Sequence, residues 1–179
     1  MKHKLLTALI IAGTAMASQM ASAADGTITF NGNVTAQSCT INGGGAASNF
    51  AVTLPTVSTS SLAAAGQTAG RTPFSIELTN CSPTSGNVHT FFESGPTTDL
   101  TTGHLIVAQG GAMNVQIGLQ NGADQTDIKA GFADAAQNSK SVAISAGSAT
   151  LPYYAQYVAT GAATAGAANS SVMYTIAYQ

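Results

Sequence analysis

Thr27-Ile-Thr-Phe-Asn-Gly-Asn-Val-Thr-Ala36 is a strand pattern, and its place in the chain decides how the rest is read. Ile28, Phe30, Gly32, Val34 and Ala36 fall on one face and mostly polar residues on the other. That is the period of two of a pleated strand. The stretch stands just behind an apolar leader and just ahead of Cys39. A strand that is apolar along one side and lies at a newly made terminus is an aggregation hazard unless something receives it. It has the character of a segment meant for another molecule.

The leader is read from Lys2 and Lys4, the uncharged run Leu5–Ala17, and the small-x-small site Ala21-Ser22-Ala23. Such a run is too short to span a bilayer and has no stop-transfer flank, so it reads as a secretory signal. Cleavage is expected after Ala23, with Ala24 as the neighbouring alternative. The expected organisation is a signal peptide over 1–23, an N-terminal extension over 24–38 and one domain over 39–179. No second apolar run approaches the length of a membrane span.

Removing 1–23 leaves 156 residues and takes away two of the five basic residues, so three stand against seven acidic ones, a formal charge of −4. Phosphate neutralisation needs clustered Lys and Arg, which argues against nucleic-acid binding. A surface of Thr, Ser, Asn, Gln, Gly and Ala has little charge to keep copies apart. The two cysteines, Cys39 and Cys81, both lie beyond the leader. Export to an oxidising compartment makes a disulfide between them the default. Free thiols in redox or metal chemistry would need C-x-x-C spacing or convergent His ligands, and neither is present.

Strands are expected at 50–54, 74–78, 88–92, 105–109, 115–119, 142–144, 153–159 and 172–178, separated by Gly- and Pro-rich turns such as Gly43-Gly44-Gly45 and Ser94-Gly95-Pro96. Short strands at this spacing indicate an all-β sandwich or barrel, and roughly seven strands in a single sandwich suit the length. A helix is hard to find, although Leu62–Gly66 could form one turn. Tryptophan is absent, so the buried Trp of antibody-type domains is missing. The last expected strand is the second informative segment. Val172, Tyr174, Ile176 and Tyr178 alternate with Ser171, Met173, Thr175 and Ala177, and Gly166 is fourteenth from the end. A strand this regular normally pairs into a sheet and buries its apolar face.

These features together resemble the pilin subunits of chaperone–usher fimbriae, and among them the major type 1 subunits. The resemblance rests on the 27–34 stretch followed by Cys39, on Phe74-Ser-Ile-Glu-Leu-Thr-Asn-Cys81, on the Gly- and Ala-rich run 157–169, and on a terminal strand with Gly166 and Tyr178. It implies an incomplete immunoglobulin-like sandwich, missing its last strand, with an N-terminal donor-strand extension. It further implies that Ile28, Phe30, Gly32, Val34 and Ala36 form the donated face. Gly32 matches the glycine that such donor strands keep where a pocket leaves no room for a side chain. Gly166, Val172, Tyr174, Ile176 and Tyr178 would belong to the groove edge and be recognised by a chaperone.

The implied partners are other copies of the chain, other pilins, a periplasmic chaperone, an outer-membrane usher and, indirectly, a tip adhesin. The implied destination is the cell-surface fimbrium, reached through the periplasm, with a role in cell adhesion. A tip adhesin itself would need about another 100–150 residues for a receptor-binding domain. The remaining alternatives are a minor adaptor subunit and a monomeric secreted domain that fills its own groove.

No enzyme, metal or cofactor is expected. His89 and His104, with Asp99 near in sequence, lack a third ligand at useful spacing. Asp124 and Asp127 read as a solvated turn rather than a calcium loop. Gly43-Gly44-Gly45 precedes no helix and so does not read as a phosphate cradle.

Overall fold

The computed structural model describes residues 26–32, 34, 36–45 and 47–179. The expected leader and its cleavage site lie outside the described residues, as do Asn33 and Thr35 of the first strand pattern. Residues 35–179 form one compact unit, and the segment before it is described by itself. Residues 26–32 of that segment carry no strand, and Ile28, Phe30 and Val34 are 79%, 89% and 99% exposed. The alternation expected there is present in the sequence, and its described residues are not in a strand. A period-two pattern becomes a strand only when a neighbour supplies the other half of the ladder.

Within the compact unit the strands are β1 (Ser38–Gly43), β2 (Thr68–Ser82), β3 (Gly86–Phe92), β4 (Leu105–Ile106), β5 (Val115–Asn121), β6 (Asp127–Ile128), β7 (Val142–Ile144), β8 (Ala149–Ala159) and β9 (Tyr174–Tyr178). They form two sheets. The larger has the order β1-β2-β8-β5-β4, with β6 also on β5, and the smaller has the order β7-β3-β9. All pairs are antiparallel. Among the described residues helix is limited to a 3-10 turn over Thr59–Leu62 and the single turn α1, Asp134–Gln137.

The two sheets share one apolar core because period-two apolar residues meet across the interior. Ile76, Leu78, Leu151 and Leu119 come from the large sheet, and Val88, Phe92, Ile144 and Ile176 from the small one. Tyr153 reaches from β8 to β3, where its hydroxyl bonds the Thr90 hydroxyl at 2.9 Å in the buried interior. Burial pushes the Tyr153 phenol above its ordinary pKa, which keeps it protonated and able to donate.

Three local features arise from residue chemistry. The 15-residue β2 contains Pro73, which falls in the part of β2 that β1, paired to 76–82, does not reach. Proline is tolerated there because that flank has no ladder partner to lose. Gly44 and Gly45 turn the chain after β1 with φ of +57° and +83°, conformations that strain most other residues. Cys39 and Cys81 are disulfide-bonded, joining the start of β1 to the end of β2.

Gln137, at the end of α1, is fully buried and serves the backbone of β3. Its Oε1 accepts from Phe92 N at 3.0 Å, and its Nε2 donates to Phe92 O at 2.7 Å and Phe132 O at 2.9 Å. Gln137→Ala would leave these groups unpaired in the interior and should lower stability by about 2–3 kcal/mol in urea unfolding. A loss below about 0.5 kcal/mol would mean that water replaces the amide.

Candidate functional site

The small sheet covers only part of the large one, and the uncovered part is a groove of about 920 Å³. Its floor is made of core side chains, among them Phe74, Ile76, Leu119, Ala155 and Phe92. One rim is the run Ser48–Leu54, and the other is Ala168–Tyr174, leading into β9. Among the described residues β9 has β3 on one side and no ladder partner on the other. The first rim is also without a ladder partner. Residues 50–54 are not in a strand, although Phe50, Val52 and Leu54 are half-buried and Ala51 and Thr53 are exposed. The strand expected at 50–54 thus keeps its two-faced pattern and lacks the neighbour that would make it a strand.

The second rim is held from behind. Residues 160–171 run beside 106–114, with Ala112 N donating to Ala167 O at 2.7 Å, Ala108 N to Asn169 O at 2.8 Å and Thr160 N to Asn114 O at 2.9 Å. This pairing takes up the chain after Ile106, so the strand expected to run to Gln109 ends at Ile106. Gly166 lies in this seam rather than in the groove lining. A Cβ there would come within 2.7 Å of Ala112 N, so only glycine allows the two loops to approach this closely.

Of the other residues expected at the groove edge, Val172 and Tyr174 line it. Ile176 and Tyr178 lie further along β9 and pack on the core, Ile176 in full and Tyr178 in part. β9 begins at Tyr174, two residues later than the alternation from Val172 predicts. Tyr174 reaches across the groove mouth: its hydroxyl donates to Ser48 O at 2.7 Å. Its ring meets that of Phe50 edge-on at 6.3 Å. Partial burial raises the Tyr174 phenol above its ordinary pKa, so it remains a donor at neutral pH. Sequence reasoning missed Phe50 and Ser48 as groove residues, because nothing local marks a rim whose partner is 126 positions away.

The polar residues considered for chemistry are engaged in local side-chain contacts. His89 is buried with Nε2 2.7 Å from Asp134 Oδ1. His104 Nδ1 and Asp99 are bridged by Gln116, which donates to Asp99 Oδ2 at 2.7 Å. That bond, with help from the Thr101 amide, lowers the pKa of the half-buried Asp99 carboxyl to about 2. Asp124 is lowered by the Thr126 hydroxyl and amide in a tight turn, and Asp127 accepts from Gln120 Nε2 at 2.9 Å. Among the described residues no three His, Cys, Asp or Glu side chains gather as metal ligands.

A family model for the type-1 fimbrial protein, A (FimA), matches residues 54–179. The chain belongs to this family. The major fimbrial subunit SMF-1 of Stenotrophomonas maltophilia is 54% identical over 163 residues, covering 88% of this chain and 95% of its own. The F17 fimbrial protein of Escherichia coli is 49% identical over 160 residues, covering 87% and 88%. Among solved structures, the P pilus rod subunit PapA superposes with a TM-score of 0.61 at 20% identity, covering 79% of this chain and 99% of its own. That likeness shows the fold. This FimA-family chain is an all-β, immunoglobulin-like sandwich and a structural subunit of a surface fimbria, reached by export through the periplasm. Its partners include other pilin subunits.

Proposed function

We propose that this chain is the major rod subunit of its fimbria and polymerises head-to-tail by donor-strand exchange. The groove between Ser48–Leu54 and β9 receives the 27–36 segment of another copy. The observation that carries this reading is the pair of unpartnered rims over a floor of core side chains. A strand laid between them would add to the small sheet beside β9 and cover Ile76 and Leu119. The complementary part is the apolar face of Ile28, Phe30, Gly32, Val34 and Ala36, whose large members are exposed in their own chain.

Burying Ile28, Phe30 and Val34 contributes on the order of 4–9 kcal/mol before hydrogen bonds and ordering costs. Gly32 supports the assignment in a different way. A Cβ built there meets nothing within 4 Å, so this chain's own packing does not demand a glycine at that position. Donor and groove are different surfaces of one chain, and such a heterologous contact does not close on itself.

In the same reading a periplasmic chaperone fills the groove first and meets the β9 edge. The usher is the place where the chaperone's strand is replaced, and the tip adhesin joins the fibre indirectly. The domain boundary is placed after residue 38, with the extension over 24–38 and the receiving domain over 39–179. A strand that completes a neighbour's fold leaves only as fast as that neighbour unfolds, so the joint is kinetically persistent. Fimbriae built from this chain should therefore run as a ladder of multimers in detergent and collapse to monomer on boiling. Collapse in cold detergent would exclude fold completion as the joint.

A further inference from the structure

One contact joins the two rims of the groove directly. Tyr174 donates its hydroxyl to Ser48 O at 2.7 Å, and its ring stands edge-on to Phe50 at 6.3 Å. Both rings also line the groove. Phe50 has a prepared seat: a Cβ on Gly43 would collide with its ring, so the missing side chain at Gly43 is what lets Phe50 settle there. From that seat Phe50 touches Phe74 on the floor at 6.2 Å. We propose that Tyr174 and Phe50 form a latch that holds the empty groove closed at its Ser48 end and must release before a strand can pass between the rims. This rests on the groove being the acceptor of the donated strand.

The two halves of the latch are built differently. The Tyr174 backbone is fixed by its pairing with Phe92 in the small sheet, so that side can yield only by rotating its side chain. Phe50 lies in a run outside any strand, so the whole 48–54 rim can move. The bond is single, neutral and at the groove mouth, whereas an incoming strand offers a row of ladder bonds and several apolar side chains. The latch therefore slows entry without preventing it. While the groove is empty it keeps two aromatic rings against each other instead of in water.

The test is the association rate of a fluorescent synthetic peptide spanning residues 24–37 with the purified chain, followed by anisotropy. Tyr174→Phe keeps the ring and deletes the rim-to-rim bond, and it should accelerate peptide capture about three- to tenfold. Gly43→Ala, which pushes Phe50 off its seat without touching the tyrosine, should accelerate it as well. Capture at the wild-type rate by both variants would overturn the latch and leave the acceptor groove standing. Slower capture by Tyr174→Phe would overturn it too, by showing that the hydroxyl serves the filled groove. A peptide that binds none of the three proteins would overturn the acceptor reading and the latch with it.

Discussion

Phe30→Asp should abolish donation of the chain into a fibre while leaving the chain folded. Phe30 is 89% exposed in its own chain, so the substitution costs its host little. In the groove of another copy the same side chain would face Phe74, Ile76 and Leu119, an apolar floor with no cation to pair a carboxylate. Losing the buried ring removes roughly 1.5–3 kcal/mol, and placing an unpaired charge there adds several more. At about 1.4 kcal/mol per tenfold, incorporation should fall at least a hundredfold.

The defect should also have a direction. A Phe30→Asp chain keeps its groove and can still receive a strand, so it should act as a one-sided terminator that shortens fibres when mixed with wild type. Fibre length by electron microscopy at increasing mutant fraction checks this, and unchanged length would remove 27–36 from the donor role. Deleting 24–36 adds a second readout. A self-filling monomer would lose its fold, whereas a polymer subunit would still bind its chaperone and fail only in donation.

Cys39→Ser should be the most damaging change to the domain itself. The disulfide closes a loop with a sequence separation of 42, for which the chain-entropy estimate is roughly 4 kcal/mol. The placement of the bond makes that loss matter. It ties β1, an edge strand paired only with β2 among the described residues, to the far end of β2. Domains of this size have only about 5–15 kcal/mol in total. The urea midpoint should fall by roughly 2 M, and the amount recovered from the periplasm should fall with it. Cys81→Ser and the double variant should match the single one, since each removes the same constraint. An unchanged midpoint would show that β1 is held by its ladder alone.

Much of the fold is legible in the sequence wherever a segment is buried on one face by its immediate sheet neighbours. Phe74–Leu78, Val88–Phe92, Val115–Leu119 and Val142–Ile144 all lie within strands, because alternation and β-branching there agree with the pairing they find. Ser38–Gly43 is not legible. Its polar residues and glycine give no strand signal, and it becomes β1 because β2 offers a long edge and the disulfide pins it. The 105–109 run is legible in its first two residues only, since hydrogen bonds to the 160–171 loop claim the chain beyond Ile106. α1 has no sequence signal at all. Its one turn exists because Gln137 finds the Phe92 backbone, a contact 45 positions away in sequence. The groove obeys the same rule. Its β9 rim can be read from the alternation at 172–178, but the Ser48–Phe50 rim depends on distant contacts that no local pattern records.

The floor of the groove places an unusual demand on its residues. Ile76 and Leu119 pack against the strands of their own chain, and in a fibre they would also pack against Ile28, Phe30 or Val34 of a neighbour. A substitution at such a position is judged twice, once by the domain that contains it and once by a short segment of a different molecule encoded about 40 to 90 residues upstream. Changes in the floor and in the extension should therefore be tolerated in matched pairs more readily than singly. A hybrid fibre made from two divergent pilins would test that pairing at every joint, and incompatibility between strains would first appear there, before any surface loop had changed.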